Sequence, residues 1–504
     1  MRNTFFLNSN GQNLYLLDKS NQQLLICHPL IQIFYELEKK GFEIAELIKN
    51  TELRNSLNEL KNYSEKEIMY YGKKYNYLLD NNFFSCSENQ TEFNLTNNSI
   101  KKALANLRQI TFEVTDACNL NCKYCAYGEL YGNYDKRKNS YLDFEKGKVI
   151  IDYLHAILNS SRNQGRNKKF YVSYYGGEPL LNMNFVKRIT EYLKSKKFQN
   201  NQIVFSMTTN AVLLDKHIEY LVDNNFQILI SLDGDRKNNE YRVFSNGSPS
   251  YDLILSNIIK LKNKYPKYFN ESVQFNATLH NKNSVDSIYH FFKNKFNKTP
   301  SIGELSSSGI REDKRSKFNE MYENTSQSMN KSHHYMSIEN DMFMQLPSLK
   351  LLGMFLHNHS GNVFKDYRNI LFRSKYEKKL STGTCIPFER KMFITVNGKI
   401  LPCEKIGQQY VIGWLNGCKV DINIEFIKNF YKEKFNKIKH VCSSCYNFNN
   451  CKTCIFDLNI EDEYPTCDGF MDRKAYKQFL SSIVSYLEFK PYLYKKIMDE
   501  VYID

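Results

Sequence analysis

The stretch that decides the fold is "QITFEVTDACNLNCKYCAYG", Gln109–Gly128. Its first six residues read as a β-strand, and they run straight into Cys118, Cys122 and Cys125 in the spacing C-x3-C-x2-C. A thiolate-only metal site ordinarily closes with four ligands. Three thiolates suit a [4Fe–4S] cube with one iron left open. The competing reading of these residues is a half-built zinc site or unrelated surface cysteines.

Outward from this strand, strand-like runs alternate with helical patterns. The further strands are 169–175, 202–209, 226–232 and 272–279. Between them "FEKGKVIIDYLHAIL", "NFVKRITEYLKS", "DKHIEYLVDNN" and "YDLILSNIIKLKNK" each show i, i+3/i+4 apolar spacing. Repeated βα units imply a parallel sheet with right-handed crossovers, here a partial (β/α)6 TIM-like barrel of α/β class. Ligands of such sheets bind at the carboxyl ends of the strands. That is where the cysteine loop lies, with Gly176, Gly177, Glu178 and Pro179 after the second strand. Asn210 ends the third strand, and Ser231 and Asp233 end the fourth. The two glycines are expected to bring backbone carbonyls close to a ligand.

Together these residues resemble the radical S-adenosylmethionine superfamily over about 108–300. The resemblance implies that the open iron chelates the amino and carboxylate groups of S-adenosylmethionine. Reductive cleavage then yields methionine and a 5′-deoxyadenosyl radical. It also implies that Tyr124 packs on the adenine, that Gly176–Pro179 hold the amino group, and that Ser231 and Asp233 belong to the fourth-strand motif. Arg242, in "EYRVF", is implied to pair with the cofactor's carboxylate.

Cysteines crowd again near the end. Cys385 and Cys403 flank a hairpin expected to turn at Asn397-Gly398 in type I′ geometry. Then come Cys442, Cys445, Cys451, Cys454 and Cys467. Paired CxxC motifs read alone leave zinc and iron open. The spacing looks like a SPASM domain, although two residues rather than three precede Cys454 in its pair. The resemblance implies two auxiliary [4Fe–4S] clusters, three clusters in all. Cys442, Cys445, Cys451 and Cys467 would hold the distal cluster, and Cys454 would cross back to join Cys385 and Cys403 on the proximal one. These seven ligands are one short of eight, and residues 373–384 hold no cysteine. Cys418 is the alternative eighth ligand; otherwise an open proximal iron is expected, ready to take a substrate thiolate. Glu404 stands where sulfatase-maturing relatives carry a catalytic aspartate, and Tyr127 is expected near the substrate. Cys27 and Cys86 are expected to be small buried hydrophobes.

The start of the chain shows three short apolar runs, then "PLIQIFYELEKKG", "FEIAELIKN" and "SEKEIMYYGKKYNYLLDNNFF". Three strands followed by three helices suit a winged-helix module. It resembles a PqqD-like element that recognises ribosomal peptide precursors, which implies a leader segment added as a strand to the sheet edge. The expected organisation is 1–90 for this module, 105–300 for the barrel, 301–380 for an irregular crossover, 381–475 for the iron–sulfur domain, and 476–504 for a helical tail. Residues 87–99 read as a linker.

The chain has 504 residues and a formal charge of +15. Lysine is spread evenly beside abundant asparagine, so no nucleic-acid partner is expected. No signal peptide or apolar membrane span is legible, so a cytoplasmic protein with reduced thiols is expected. Combined, the readings give a radical peptide maturase that abstracts hydrogen from a precursor peptide and installs a crosslink, a thioether from cysteine first. Ferredoxin or flavodoxin would donate electrons. The alternatives are a carbon–carbon crosslink or a sulfatase-maturing dehydrogenase that makes formylglycine. A zinc-bearing binding scaffold is the non-enzyme rival.

Overall fold

The computed structural model describes residues 3–19, 23–85, 93–165, 167–359, 380, 382–417, 419–458, 460 and 463–501. Strands β1 (Thr4–Asn8), β2 (Leu14–Asp18) and β3 (Gln23–Ile26) form an antiparallel sheet in that order. The helix Pro29–Lys39 follows, then the short helices Ile44–Lys49 and Thr51–Ser56, and then Glu65–Asp80. The last starts at a capping box in which Ser64 and Glu67 satisfy each other's backbone N–H groups. These helices close a small core around Leu30, Phe34, Leu47 and Tyr75.

The expected linker is shorter than its composition suggests. Thr96 and Ser99 cap a helix, Asn97–Ala105, that buries Ile100 and Leu104. Each expected barrel strand is present within a residue or two: β4 (Gln109–Thr115), β5 (Lys168–Gly176), β6 (Asn201–Thr209), β7 (Gln227–Ser231) and β8 (Val273–Thr278). β9 (Ser301–Gly303) makes a sixth, and all five pairings between neighbours are parallel. Helices Phe144–Leu158, Met183–Lys194, Tyr251–Lys264 and Val285–Phe296 cover the outer face. The helix Met183–Lys194 shows why they stay there. It buries Phe185, Val186, Ile189 and Leu193, each contributing about 1.5–3 kcal/mol.

The tail is not a separate layer. β10 (Lys391–Ile394) pairs in parallel with β4, and β11 (Lys399–Leu401), β12 (Gly413–Asn416) and β13 (Lys419–Asp421) continue outward. One ten-stranded sheet therefore spans both expected domains. The β10–β11 turn differs from the expected type I′. Gly398 has φ +85° but Asn397 is not left-handed, and Gly398 N–H bonds to Thr395 O at 2.9 Å. This is a four-residue turn with glycine last, which needs only one left-handed residue.

The crossover is helical where polarity suggested irregularity, with helices Arg315–Met321, Thr325–Asn330, Tyr335–Asp341 and Pro347–His359. The C-terminal helix breaks at Pro491 into Arg473–Phe489 and Tyr492–Glu500. Cys86, Cys418 and most of 373–384 lie outside the described residues. Cys27 is half-buried against the front core. Among the described residues no helix is long and apolar enough to cross a membrane.

Candidate active site

β4 sets the geometry. Phe112 packs outward on Phe185, with ring centroids 5.5 Å apart, so alternation turns Thr111 and Glu113 to the opposite face. The chain then leaves the sheet as the cysteine loop. Its far side is tied to the segment after β7, where Asn121 N–H donates to Val243 O at 2.7 Å and Lys123 N–H to Tyr241 O at 3.1 Å. This brings Arg242 and Tyr124 together.

Asp233 is the hub of that corner. Arg242 grips it with two bonds, Nε to Oδ2 at 3.0 Å and Nη2 to Oδ1 at 3.1 Å. Tyr124 donates to Oδ2, Thr278 N–H donates to Oδ1 at 2.9 Å, and His280 Nε2 lies 3.7 Å from Oδ2. Burial alone would raise the Asp233 carboxyl, but the Arg242 guanidinium and His280 hold it below the usual range. Arg242 is thus already paired within the protein. Ser231 ends β7, half-buried and level with Asn276 of β8.

The glycine pair lies tightly against the cysteine loop. A Cβ on Gly176 would lie 2.2 Å from Thr115 O, and one on Gly177 would lie 1.9 Å from Ala117 O. The close approach is to the backbone of the cysteine loop. Gly177 N–H and Glu178 N–H donate to those same carbonyls at 2.8 and 2.9 Å. Pro179 starts a short 3₁₀ turn and is buried. Glu178 is buried and accepts from Thr209 Oγ1 (2.6 Å), Asn210 N–H (2.8 Å) and Leu180 N–H (3.1 Å). Asn210 in turn reaches Asn119 Oδ1 at 2.7 Å and lies 3.7 Å from Cys118 Sγ.

Cys118, Cys122 and Cys125 converge closely enough to perturb one another's charge. Burial pushes the Cys118 and Cys122 thiols up to about 11 and 12. A bound metal would hold them as thiolates.

The tail sorts its cysteines into two groups. Cys454 is electrostatically coupled to Cys403 and Cys385, and Cys467 to Cys451 and Cys445. Cys442 sits in the last turn of the helix Ile424–Ser444, and its carbonyl accepts Cys445 N–H at 3.2 Å. Gly383 N–H donates to Thr453 O at 3.1 Å and Ile455 N–H to Thr384 Oγ1 at 2.9 Å, so the Cys385 and Cys454 segments are laced together.

Between the loop triad and Cys403 lies a buried polar patch. Tyr127 donates to Glu113, whose other oxygen accepts Val396 N–H at 2.8 Å. Burial and the Glu113 carboxylate raise the Tyr127 hydroxyl far above its usual range. Tyr134 and Tyr175 complete the wall. Glu404 pairs with Lys391 Nζ at 2.6 Å through Oε1, while its buried Oε2 has no hydrogen-bond partner. Arg137 Nη2 lies 3.2 Å from Cys125 Sγ, its guanidinium facing the Tyr127 ring. Glu113, Arg137, Tyr134 and His280 join the site without having been singled out in sequence. Only Glu113 carries a warning, as an acid inside an otherwise buried strand.

Residues 112–293 match the radical SAM superfamily. A cysteine-type anaerobic sulfatase-maturating enzyme of Clostridium novyi is 25% identical over 74% of this chain and 94% of its own. The radical SAM cyclopropyl synthase TigE of Paramaledivibacter caminithermalis is 24% identical over 69% of this chain and 66% of its own. A solved structure of native anSMEcpe with bound AdoMet superposes with TM-score 0.50 at 18% identity, covering 78% of this chain and all of that one, which shows a shared fold. The strand-borne rim and the cysteine loop therefore form a radical SAM domain, and the chain is similar over most of its length to sulfatase-maturating enzymes and to TigE.

Proposed function

We propose that the chain modifies a ribosomally made precursor peptide, forming a crosslink, with a thioether from a peptide cysteine as the first product. The observation that carries this reading is the patch between the two cysteine sites. Cys125 and Cys403 border one wall of Tyr127, Tyr134 and Tyr175, and Glu404 offers a buried oxygen with no partner. When bound at Cys118, Cys122 and Cys125, the cluster with S-adenosylmethionine supplies the agent that removes a hydrogen atom from carbon.

This chain's own residues then divide the work. Asp233, Arg242, Tyr124 and Asn210 shape the cofactor pocket, and Gly176–Pro179 form its rim. Glu404 takes the substrate thiol's proton on its unpartnered oxygen, while Lys391 holds the carboxylate in place through the other. The balance is one hydrogen atom from carbon, one proton from sulfur and one electron, leaving a new C–S bond. Cys385, Cys403 and Cys454, and Cys442, Cys445, Cys451 and Cys467, would hold two auxiliary [4Fe–4S] clusters able to take up that electron. The front module binds the leader of the peptide, and a ferredoxin or flavodoxin supplies reducing electrons. All three cysteine groups hold [4Fe–4S] clusters.

Tandem mass spectrometry of a co-expressed precursor tests the bond. A loss of two hydrogens per crosslink, with the cysteine resistant to iodoacetamide, is expected. A fully modified product with an alkylatable cysteine excludes the thioether. The extent of the C. novyi match favours one second reading, oxidation of a cysteine or serine to formylglycine. That product would instead carry an aldehyde reactive toward hydrazides.

A further inference from the structure

We propose that Asp286, His290 and His334 form a binding site for one divalent transition metal ion of zinc's class, outside the cofactor pocket and free of cysteine. Asp286 and His290 are one turn apart on the helix Val285–Phe296, so their side chains share a face. His334 comes from the turn between the crossover helices Thr325–Asn330 and Tyr335–Asp341. One ligand atom from each residue lies within 4.8 Å of the other two. His334 Nδ1 is 3.1 Å from Asp286 Oδ1, and His290 Nε2 is 3.9 Å from the same oxygen. The two imidazole rings meet edge to face with centroids 4.3 Å apart. A tetrahedral ion with ligand bonds near 2.05 Å sets its ligands about 3.4 Å apart, so small side-chain rotations close the site.

A simple carboxylate–histidine ion pair does not account for the third member. His290 Nε2 is buried and lacks a hydrogen-bond partner, an arrangement that costs free energy unless something binds it. Ser332 donates to Asp286 Oδ1, the kind of outer contact that orients a ligating carboxylate. Two imidazoles and one carboxylate match the preferences of zinc and its neighbours, and they are poor ligands for calcium or magnesium. With three protein ligands and partial exposure, water takes the fourth position.

The site would act as a clip. Just past His334, Tyr335 donates to Glu339, which also accepts from Tyr486 of the C-terminal helix and from Lys490 Nζ at 2.6 Å. An ion here would fasten the last barrel helix to the segment that anchors the tail.

The test is equilibrium dialysis of the cluster-loaded enzyme against zinc, with iron and zinc counted in the same samples. The wild-type chain is expected to take up one zinc with its iron unchanged. His290→Ala and His334→Ala should each weaken that uptake by about tenfold or more, whereas His333→Ala, one residue from the site, should not. Should an alanine variant lose iron, the glutamine variants His290→Gln and His334→Gln carry the same comparison. No zinc uptake by the wild type at tens of micromolar metal, or equal uptake by wild type and both site variants, overturns the proposal.

Discussion

Glu178 is a carboxyl with almost no exposure, and burial pushes it up to about 7 despite three donors that favour its charge. Its pKa is raised on folding, so between about pH 4.5 and 7 the folded chain holds a proton that the unfolded chain has released. Stability from this group is therefore full at low pH, falls as pH rises through that window and is flat above it. The span amounts to about 3 kcal/mol. Glu178→Gln should flatten that leg, so the drop in urea midpoint of the cluster-loaded enzyme between pH 5 and 7.5 should be smaller than in wild type. An identical drop would mean that Glu178 stays charged throughout. At this scale the sequence is readable where chemistry and position coincide, as in Gly-Gly-Glu-Pro after a strand. It is silent on Arg137 and His280, whose roles depend on what the loops bring beside them. The glycine pair shows the limit well. Its position was legible, but the partner it approaches, the Ala117 carbonyl, is distant in sequence.

Strands β4 and β5 are legible because their centres are runs buried from both sides, and β6 to β8 because buried residues alternate along a short run, each bounded by turn residues. The union of β10 with β4 is not, because pairing across nearly three hundred residues leaves no local mark. The crossover helices are hidden by short length and polar composition. Their burial comes from neighbours such as Val285 N–H, which donates to Ser328 Oγ at 3.0 Å. The lacing of the tail makes a sharp prediction here. A Cβ on Gly383 would lie 2.0 Å from the backbone carbon of Lys452, which cannot yield as a side chain end would. Gly383→Ala should push Cys385 away from Cys454 and remove about four irons of about twelve, while leaving cofactor cleavage at the loop triad. Replacing Cys118, Cys122 and Cys125 with alanine should also remove about four irons but abolish cofactor cleavage. Equal iron in Gly383→Ala and wild type would show that the segment adjusts.

At the scale of the whole molecule the front module is less separable than its own small core suggests. Phe5, Leu7 and Leu17 belong to the main core, and Phe5 packs edge to face on Tyr476 at 5.3 Å. Arg473 donates to Thr4 O at 2.9 Å and Lys19 Nζ to Tyr446 O at 2.6 Å, next to Cys445. Removing residues 1–90 would strip this face and disturb the distal cysteines, so a deletion does not isolate leader binding. The free edge of β3 does. Among the described residues β3 pairs only with β2, and Cys27 N–H donates inward to Leu14 O at 2.8 Å. Alternation then turns the N–H groups of Leu24 and Ile26 outward, and the Ile26 side chain is 82% exposed. Proline is tolerated at an edge position whose N–H faces solvent. Ile26→Pro should therefore keep the fold and the iron content, deleting only a donor that an added strand would use. If the leader docks on this edge, peptide modification at limiting substrate should fall by about tenfold or more, the scale of losing one or two backbone bonds and their neighbouring contacts. Cleavage of S-adenosylmethionine without peptide should be unchanged. Wild-type rates of peptide modification at low precursor concentration would place the leader elsewhere.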